Sequence, residues 1–220
     1  MPNKDYTDIT MLLDRSGSMQ TIKTDIEGGF DAFIAEQRQQ AGRCTVSLAQ
    51  FDDEYESVYT GRDLADVPPL ELHPRGRTAL LDSIARVIRD TEARLAALPE
   101  DDKPGVVIIG IMTDGYENAS TEMTHPAVKA VIEAYEKGRG WVFTYLGANQ
   151  DAIEVGSSLG IQGARAMTYT QAGAADTLKG YSRMVARTRL VAASGAPAPA
   201  VANAASFTED ERAAAKGGAS

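Results

Sequence analysis

Three stretches, 8–14 (DITMLLD), 106–114 (VVIIGIMTD) and 141–148 (WVFTYLGA), are apolar almost without a break. A strand with one wet face alternates apolar and polar residues, whereas a strand covered on both faces reads as a continuous run. These stretches therefore call for helices above and below one sheet. The sequence between them supplies such helices. Met19, Ile22, Ile26, Phe30, Phe33 and Ile34 share one helical face, which passes through Gly28-Gly29. Leu80, Leu81, Ile84, Val87, Ile88, Leu95 and Leu98 mark a second helix, stopped by Pro99. Val128, Val131, Ile132 and Tyr135 mark a third, with Pro126 in its first turn and Gly138 as its expected stop. A short fourth helix is expected near 150–160 and a fifth over 171–192.

Strands alternating with helices predict an α/β fold, a doubly wound, mostly parallel sheet with helices on both faces. CTVSLAQF (44–51) reads as a further strand, and ESVYT (56–60) follows closely enough to pair with it as an antiparallel edge. ARAMTY (164–169) is expected at the opposite edge. After about residue 193 the composition turns to Ala and Pro without large apolar residues, which reads as a linker. The expected organisation is one domain over 1–192 and a linker with a short acidic tail over 193–220. Within that tail, Thr208 and Glu211 have capping-box spacing.

With 220 residues and a net charge of −9, the chain argues against a phosphate-tracking, nucleic-acid-binding surface. No window approaches a membrane span and the N-terminus lacks an apolar signal core, so a cytoplasmic location and no membrane partner are expected. Cys44 is the only cysteine. Intrachain disulfides and cysteine-based zinc sites are thereby excluded, and Cys44 reads as a small buried hydrophobe.

In a doubly wound sheet, ligands bind beyond the carboxyl ends of the strands. Asp14 and Asp114 both stand there. Asp14 opens D-R-S-G-S, with Ser16 and Ser18 two and four positions on. Either serine alone could simply cap the next helix. RGRTALLD adds Thr78 just before the strongest helix, and MTDGYEN adds Asp114-Gly115. Two carboxylates and three hydroxyls thus gather in strand-end loops. Such neutral and acidic oxygens suit a hard cation and offer copper or zinc no soft ligand.

This constellation resembles the metal-ion-dependent adhesion site of von Willebrand factor type A domains: D-x-S-x-S, a distant Thr, then Asp in a T-D-G context. Asp14, Ser16, Ser18, Thr78 and Asp114 match all five positions, and the resemblance extends over about residues 5–190. It implies a Rossmann-like fold and Mg²⁺ or Mn²⁺ as cofactor. It also implies that Ser16, Ser18 and Thr78 ligate directly while both acids act mostly through water. The implied function is a non-enzymatic binding module whose metal takes an Asp or Glu of a partner protein. The tail of the same or a neighbouring molecule, through Glu209, Asp210 or Glu211, is a second candidate for that ligand. A structural subunit with a permanently filled site is one alternative reading. A metal-dependent hydrolase is another, disfavoured because no base stands near the motifs and no P-loop or G-x-S-x-G elbow occurs.

Several neighbours have plainer readings. Gly76 and Gly115 are expected to serve turns. Arg15, Arg75 and Arg77 read as solvated arginines, with steering of an acidic partner as the alternative. Asp52, Asp53 and Glu54 read as a solvated turn. His73 and His125 each precede proline and have no second histidine at ligand spacing, so neither is expected to bind metal. Asn149, Gln150 and Asp151 are expected at the rim of the binding surface or at a helix cap.

Overall fold

The computed structural model describes residues 2–148 and 151–217. Six strands form one sheet in the order β3-β2-β1-β4-β5-β6. They are β1 (Asn3–Asp14), β2 (Arg43–Phe51), β3 (Tyr55–Asp63), β4 (Pro104–Thr113), β5 (Val142–Ala148) and β6 (Ala166–Tyr169). β2 and β3 pair antiparallel, and every other pair is parallel. The expected fold class is the one found, including the antiparallel edge at β3. The chain leaves β1 for β2 on one side and returns to β4 on the other, so the order reverses between β1 and β4.

The two faces of the sheet are covered by different helices. Ile9, Met11 and Leu13 of β1, with Val106, Ile108 and Met112 of β4, face α1 (Lys23–Gln37) and α5 (Ala174–Ala193). Leu12, Val107, Ile109 and Ile111 point the other way, to α2 (Leu80–Ala96), α3 (His125–Arg139) and α4 (Ala152–Ser158). This period-two split of unbroken apolar runs explains their composition, because both sides of each central strand are core. Cys44 lies within this core, and burial pushes its thiol up to about 12. No helix among the described residues is long and apolar enough to cross a membrane.

Three local expectations are corrected. The first helical stretch divides into a 3-10 turn (Gly17–Thr21) and α1. α3 runs through Gly138 and stops at Gly140, whose φ of 67° places it in the left-handed region open to glycine. The segment after α5 is folded. α6 (Ala198–Ala204) and α7 (Glu209–Ala215) lie against the domain, with Phe207 buried and its N–H donating to Ala164 O at 2.9 Å. Thr208 and Glu211 complete both halves of the capping box. Glu211 is itself buried, and the Arg187 guanidinium of α5 reaches both of its oxygens. A few anchors thus outweigh an Ala/Pro-rich composition.

Candidate metal centre

The carboxyl ends of β1 and β4 lie side by side where the strand order reverses, and they bring Asp14 and Asp114 together. Asp14 ends β1 fully buried. Its Oδ1 accepts from Ser16 N–H at 2.6 Å, and its Oδ2 accepts from the Thr113 hydroxyl at 2.6 Å. Ser18 donates through Oγ to Asp114 Oδ1 at 2.6 Å, and its Oγ lies 3.1 Å from Ser16 Oγ. Neither serine caps a helix with its side chain: Ser16 precedes the 3-10 turn without such a bond, and Ile22 holds the cap position of α1. The capping alternative for these hydroxyls is not realised.

Thr78 joins the group from the loop before α2. A Cβ placed on Gly115 would stand 3.1 Å from Thr78 Oγ1, 3.8 Å from Ser18 Oγ and 3.9 Å from Asp14 Oδ2. Three of the five expected side chains thus converge on one point, and hydrogen bonds tie Ser16 and Asp114 to Ser18. Gly115 lacks the positive φ that would demand glycine, and what favours glycine there is the close approach of Thr78 Oγ1. Gly76 does meet the turn expectation, with φ of 65°.

The loops that carry these groups are cross-tied. Gly17 N–H donates to Gly76 O, and Arg75 N–H donates to Arg15 O at 2.8 Å. Thr78 N–H donates to Asn118 Oδ1 at 3.0 Å, while Asn118 N–H returns to Thr78 O at 3.0 Å. Glu117 accepts from Leu81, Ala119 and Ser120 N–H, and Asp82 accepts from Thr121 and Met123 N–H. The start of α2 and the loop after β4 therefore hold one another. Tyr169 Oη donates to Thr113 O at 3.2 Å and fixes the end of β4 from the sheet edge.

Burial pushes the Asp14 carboxyl up to about 6, against the pull of hydrogen bonds from Thr113 and Ser16, and the nearby Asp114 charge adds to the rise. Burial likewise lifts Asp114 above the ordinary carboxylate range, opposed by its bond from Ser18. Two carboxyls are thus held out of water and, among the described residues, with no cationic side chain as a hydrogen-bond partner. Their neighbours are hydroxyls and backbone N–H groups, a donor set that fits a hard divalent cation. Among the described residues no cluster of three or more His, Cys, Asp or Glu side chains is arranged to hold a metal. A cation here would depend on the three hydroxyls.

Sequence reasoning misplaced some neighbours. Arg15 is buried, not solvated: its guanidinium donates to Asp52 Oδ2 at 2.9 Å and also pairs with Glu56. Asp52 is buried with it and accepts from Arg75 and from Glu54 N–H. Burial works upward on Asp52, but these hydrogen bonds outweigh it and hold the carboxyl below its ordinary range. Arg75 and Arg77 are exposed and paired to Asp52 and Glu54, and to Asp53. Thr113 was missed; its one signal is its place just before Asp114 at the end of an apolar run. Asp151 caps α4 by accepting from Ile153 and Glu154 N–H, whereas Asn149 and Gln150 lie outside the described residues. Glu211 is held by Arg187 and the Thr208 cap, and residues 207 and 212 are bonded to 163–166, at the start of β6. The tail acids therefore do not join the five-residue site of their own chain.

No family model matches the chain, and no curated protein matches it. Solved structures do. The von Willebrand factor type A protein from Catenulispora acidiphila superposes with a TM-score of 0.56 at 15% identity, over 82% of this chain and 42% of that one. The vWF domain of the type V pili tip protein Mfa5 from Porphyromonas gingivalis gives 0.57 at 13%, over 81% and 94%. The pilus adhesin SpaC from Lactobacillus rhamnosus GG gives 0.62 at 14%, over 82% and 30%. Proximal thread matrix protein 1 from the mussel byssus gives 0.56 at 14%, and this chain spans 46% of its length. The α/β fold is that of a von Willebrand factor type A domain.

Proposed function

We propose that this protein is a binding module that docks an acidic side chain of a partner protein through Mg²⁺ or Mn²⁺. Ser16, Ser18 and Thr78 would hold the cation by their hydroxyls, with Asp14 and Asp114 supplying the negative charge around it. The cation would supply an electrophilic centre for the partner's carboxylate. The observation that carries this reading is the convergence of Thr78 Oγ1, Ser18 Oγ and Asp14 Oδ2 within 4 Å of one point at Gly115. Proteins of this fold are generally interaction modules, some of them metal-dependent, and the pilus adhesin and pilus tip protein among the neighbours agree with a docking role. We read the chain as a binder rather than a hydrolase because the hydrogen-bond network of the five residues contains, among the described residues, no histidine.

Thermal unfolding in Mg²⁺, in Mn²⁺ and in EDTA tests the metal site. A cation at a hundredfold excess over its Kd adds about 2.7 kcal/mol. Asp14→Ala should abolish that gain, and Gly115→Ala should reduce it by placing a methyl group 3.1 Å from Thr78 Oγ1. Identical midpoints in all three buffers would remove the metal from the account. Capture of partners by the full chain in Mg²⁺ but not in EDTA, and not by Asp14→Ala, tests the docking role.

A further inference from the structure

At the other end of the sheet, a cleft of about 630 Å³ opens between the amino ends of β4 and β5, the end of α5, and α6. That volume lies within the range of small-molecule sites. Its walls are apolar over Val106, Trp141, Val142 and Val201. Into this cleft comes Arg165, from the 3-10 turn before β6, only 4% exposed. Its Nη1 donates to Glu136 Oε1 at 2.7 Å. Its Nε is buried without an acceptor, and its Nη2 has none among the described residues. Among the described residues, one edge of this nearly buried guanidinium therefore has no hydrogen-bond partner.

That arrangement is costly. A buried donor left without an acceptor forfeits about 1–3 kcal/mol, and more when it is charged. The unpartnered Nε–Nη2 edge is the fork that receives a carboxylate or phosphate through two parallel bonds, once a small shift of the side chain opens Nε, which is closed to solvent here. The lining also carries Lys4, Lys137 and Arg139 against the single acid Glu136, in a chain whose net charge is −9. Lys137 and Arg139 are exposed and paired with Glu133 and Glu92. Lys4 is exposed at the rim, its Nζ 3.8 Å from where a Cβ on Gly195 would stand. Cations thus outnumber acids in the lining, although the chain as a whole is acidic.

We propose that this cleft binds a small amphipathic oxyanion. The carboxylate or phosphate head would sit on the free edge of Arg165 near Lys4, and the apolar body would lie against Trp141 and the small side chains of α6. This site is separate from the Asp14 centre and does not depend on the metal reading.

Trp141 is the chain's single tryptophan, so its indole N–H gives one reporter signal in the cleft by two-dimensional NMR. The full chain, kept in EDTA, is titrated with hexanoate, with phenyl phosphate and with hexanol. Saturable movement of the Trp141 signal is expected with hexanoate or phenyl phosphate, and the stronger of the two identifies the head group. Hexanol should bind at least about tenfold more weakly, because it lacks the charge that the fork receives. Arg165→Lys keeps the charge but loses the fork and should weaken binding about tenfold. Should that variant not fold, exposed Lys4→Ala should still weaken binding about threefold. Equal binding of hexanol and the anions, no saturation with either anion, or affinities unchanged in the folded variants would each overturn the proposal.

Discussion

Asp14→Asn should stabilise the metal-free protein at neutral pH. The Asp14 carboxyl ionises near 6 in the fold, against an ordinary 3.8, chiefly because it is buried. Each factor of ten in proton affinity is about 1.4 kcal/mol, so the ionised carboxylate costs the metal-free fold about 3 kcal/mol. The sign follows from proton counting. Between pH 4 and 6 the folded chain keeps this proton while the unfolded chain has lost it, so Asp14 makes stability fall as pH rises through that window. Above about pH 6 the cost is constant. Asn can keep both contacts, with Oδ1 towards Ser16 N–H and the amide towards Thr113, whose hydroxyl can turn to accept. Urea unfolding of wild type and Asp14→Asn in EDTA, from pH 4.5 to 8, measures this. The advantage of the variant should be small near pH 4.5, grow through pH 6 and level off at up to about 3 kcal/mol. Adding Mg²⁺ at pH 7.5 should then stabilise wild type alone. A variant that is less stable than wild type at pH 7.5 in EDTA, or a difference that does not change with pH, would refute the reasoning.

Two further outcomes follow from the packing. Asp8 is fully buried and accepts both Arg94 nitrogens, at 2.7 and 2.9 Å, plus the Thr45 hydroxyl at 2.6 Å. Arg94→Met should cost about 3–5 kcal/mol by chemical denaturation, and Asp8→Val with Arg94→Met should cost less than Arg94→Met alone, because no buried charge is then left unpaired. A Cβ on Gly173 would come within 1.9 Å of Ala215 O, so Gly173→Ala should loosen α7 and speed proteolysis after residue 197, while the sheet core keeps its hydrogen-exchange protection.

What the chain discloses before folding is uneven. Sheet class, the antiparallel β3 edge and the pairing of Asp14 with Asp114 were all legible, because unbroken apolar runs report two-sided burial and polar residues at their ends report the carboxyl edge. The layout of Arg15 was not. Its burial depends on Asp52, thirty-seven positions away, and no local pattern marks a charge that will find its counter-charge through tertiary structure. The end of α3 was equally hidden, since Gly138 and Gly140 look alike and only backbone geometry separates them. The tail misled for a related reason. Its Ala/Pro composition describes a flexible chain on average, but Phe207 and Glu211 each bury one side chain, and Arg212 donates to three backbone carbonyls at 163, 164 and 166. A handful of residues decides that docking, too few to shift a compositional reading.

The docked tail does come mechanically close to the candidate metal centre, although its acids do not. Thr170 N–H donates to Ala215 O at 3.1 Å, Gln171 Nε2 donates to Thr21 Oγ1 at 3.0 Å, and Thr21 Oγ1 lies 3.2 Å from Ser18 O. α7 is therefore linked to the backbone of Ser18 by a short series of hydrogen bonds, the last two of them exposed. An exposed hydrogen bond is worth about 1 kcal/mol at most, so this path can transmit no more than about that amount from tail to site. As a coupling free energy it would change cation affinity by about fivefold at most. The strong restraints on the site lie elsewhere, in the Thr78–Asn118 clamp and the Glu117 and Asp82 bonds that join α2 to the loop after β4. The geometry of Ser16, Ser18, Thr78 and Asp114 is thus set mainly by the loops that carry these residues. Releasing the tail should leave cation binding within that fivefold limit, whereas Asn118→Ala, which removes the acceptor of Thr78 N–H, should disturb it more.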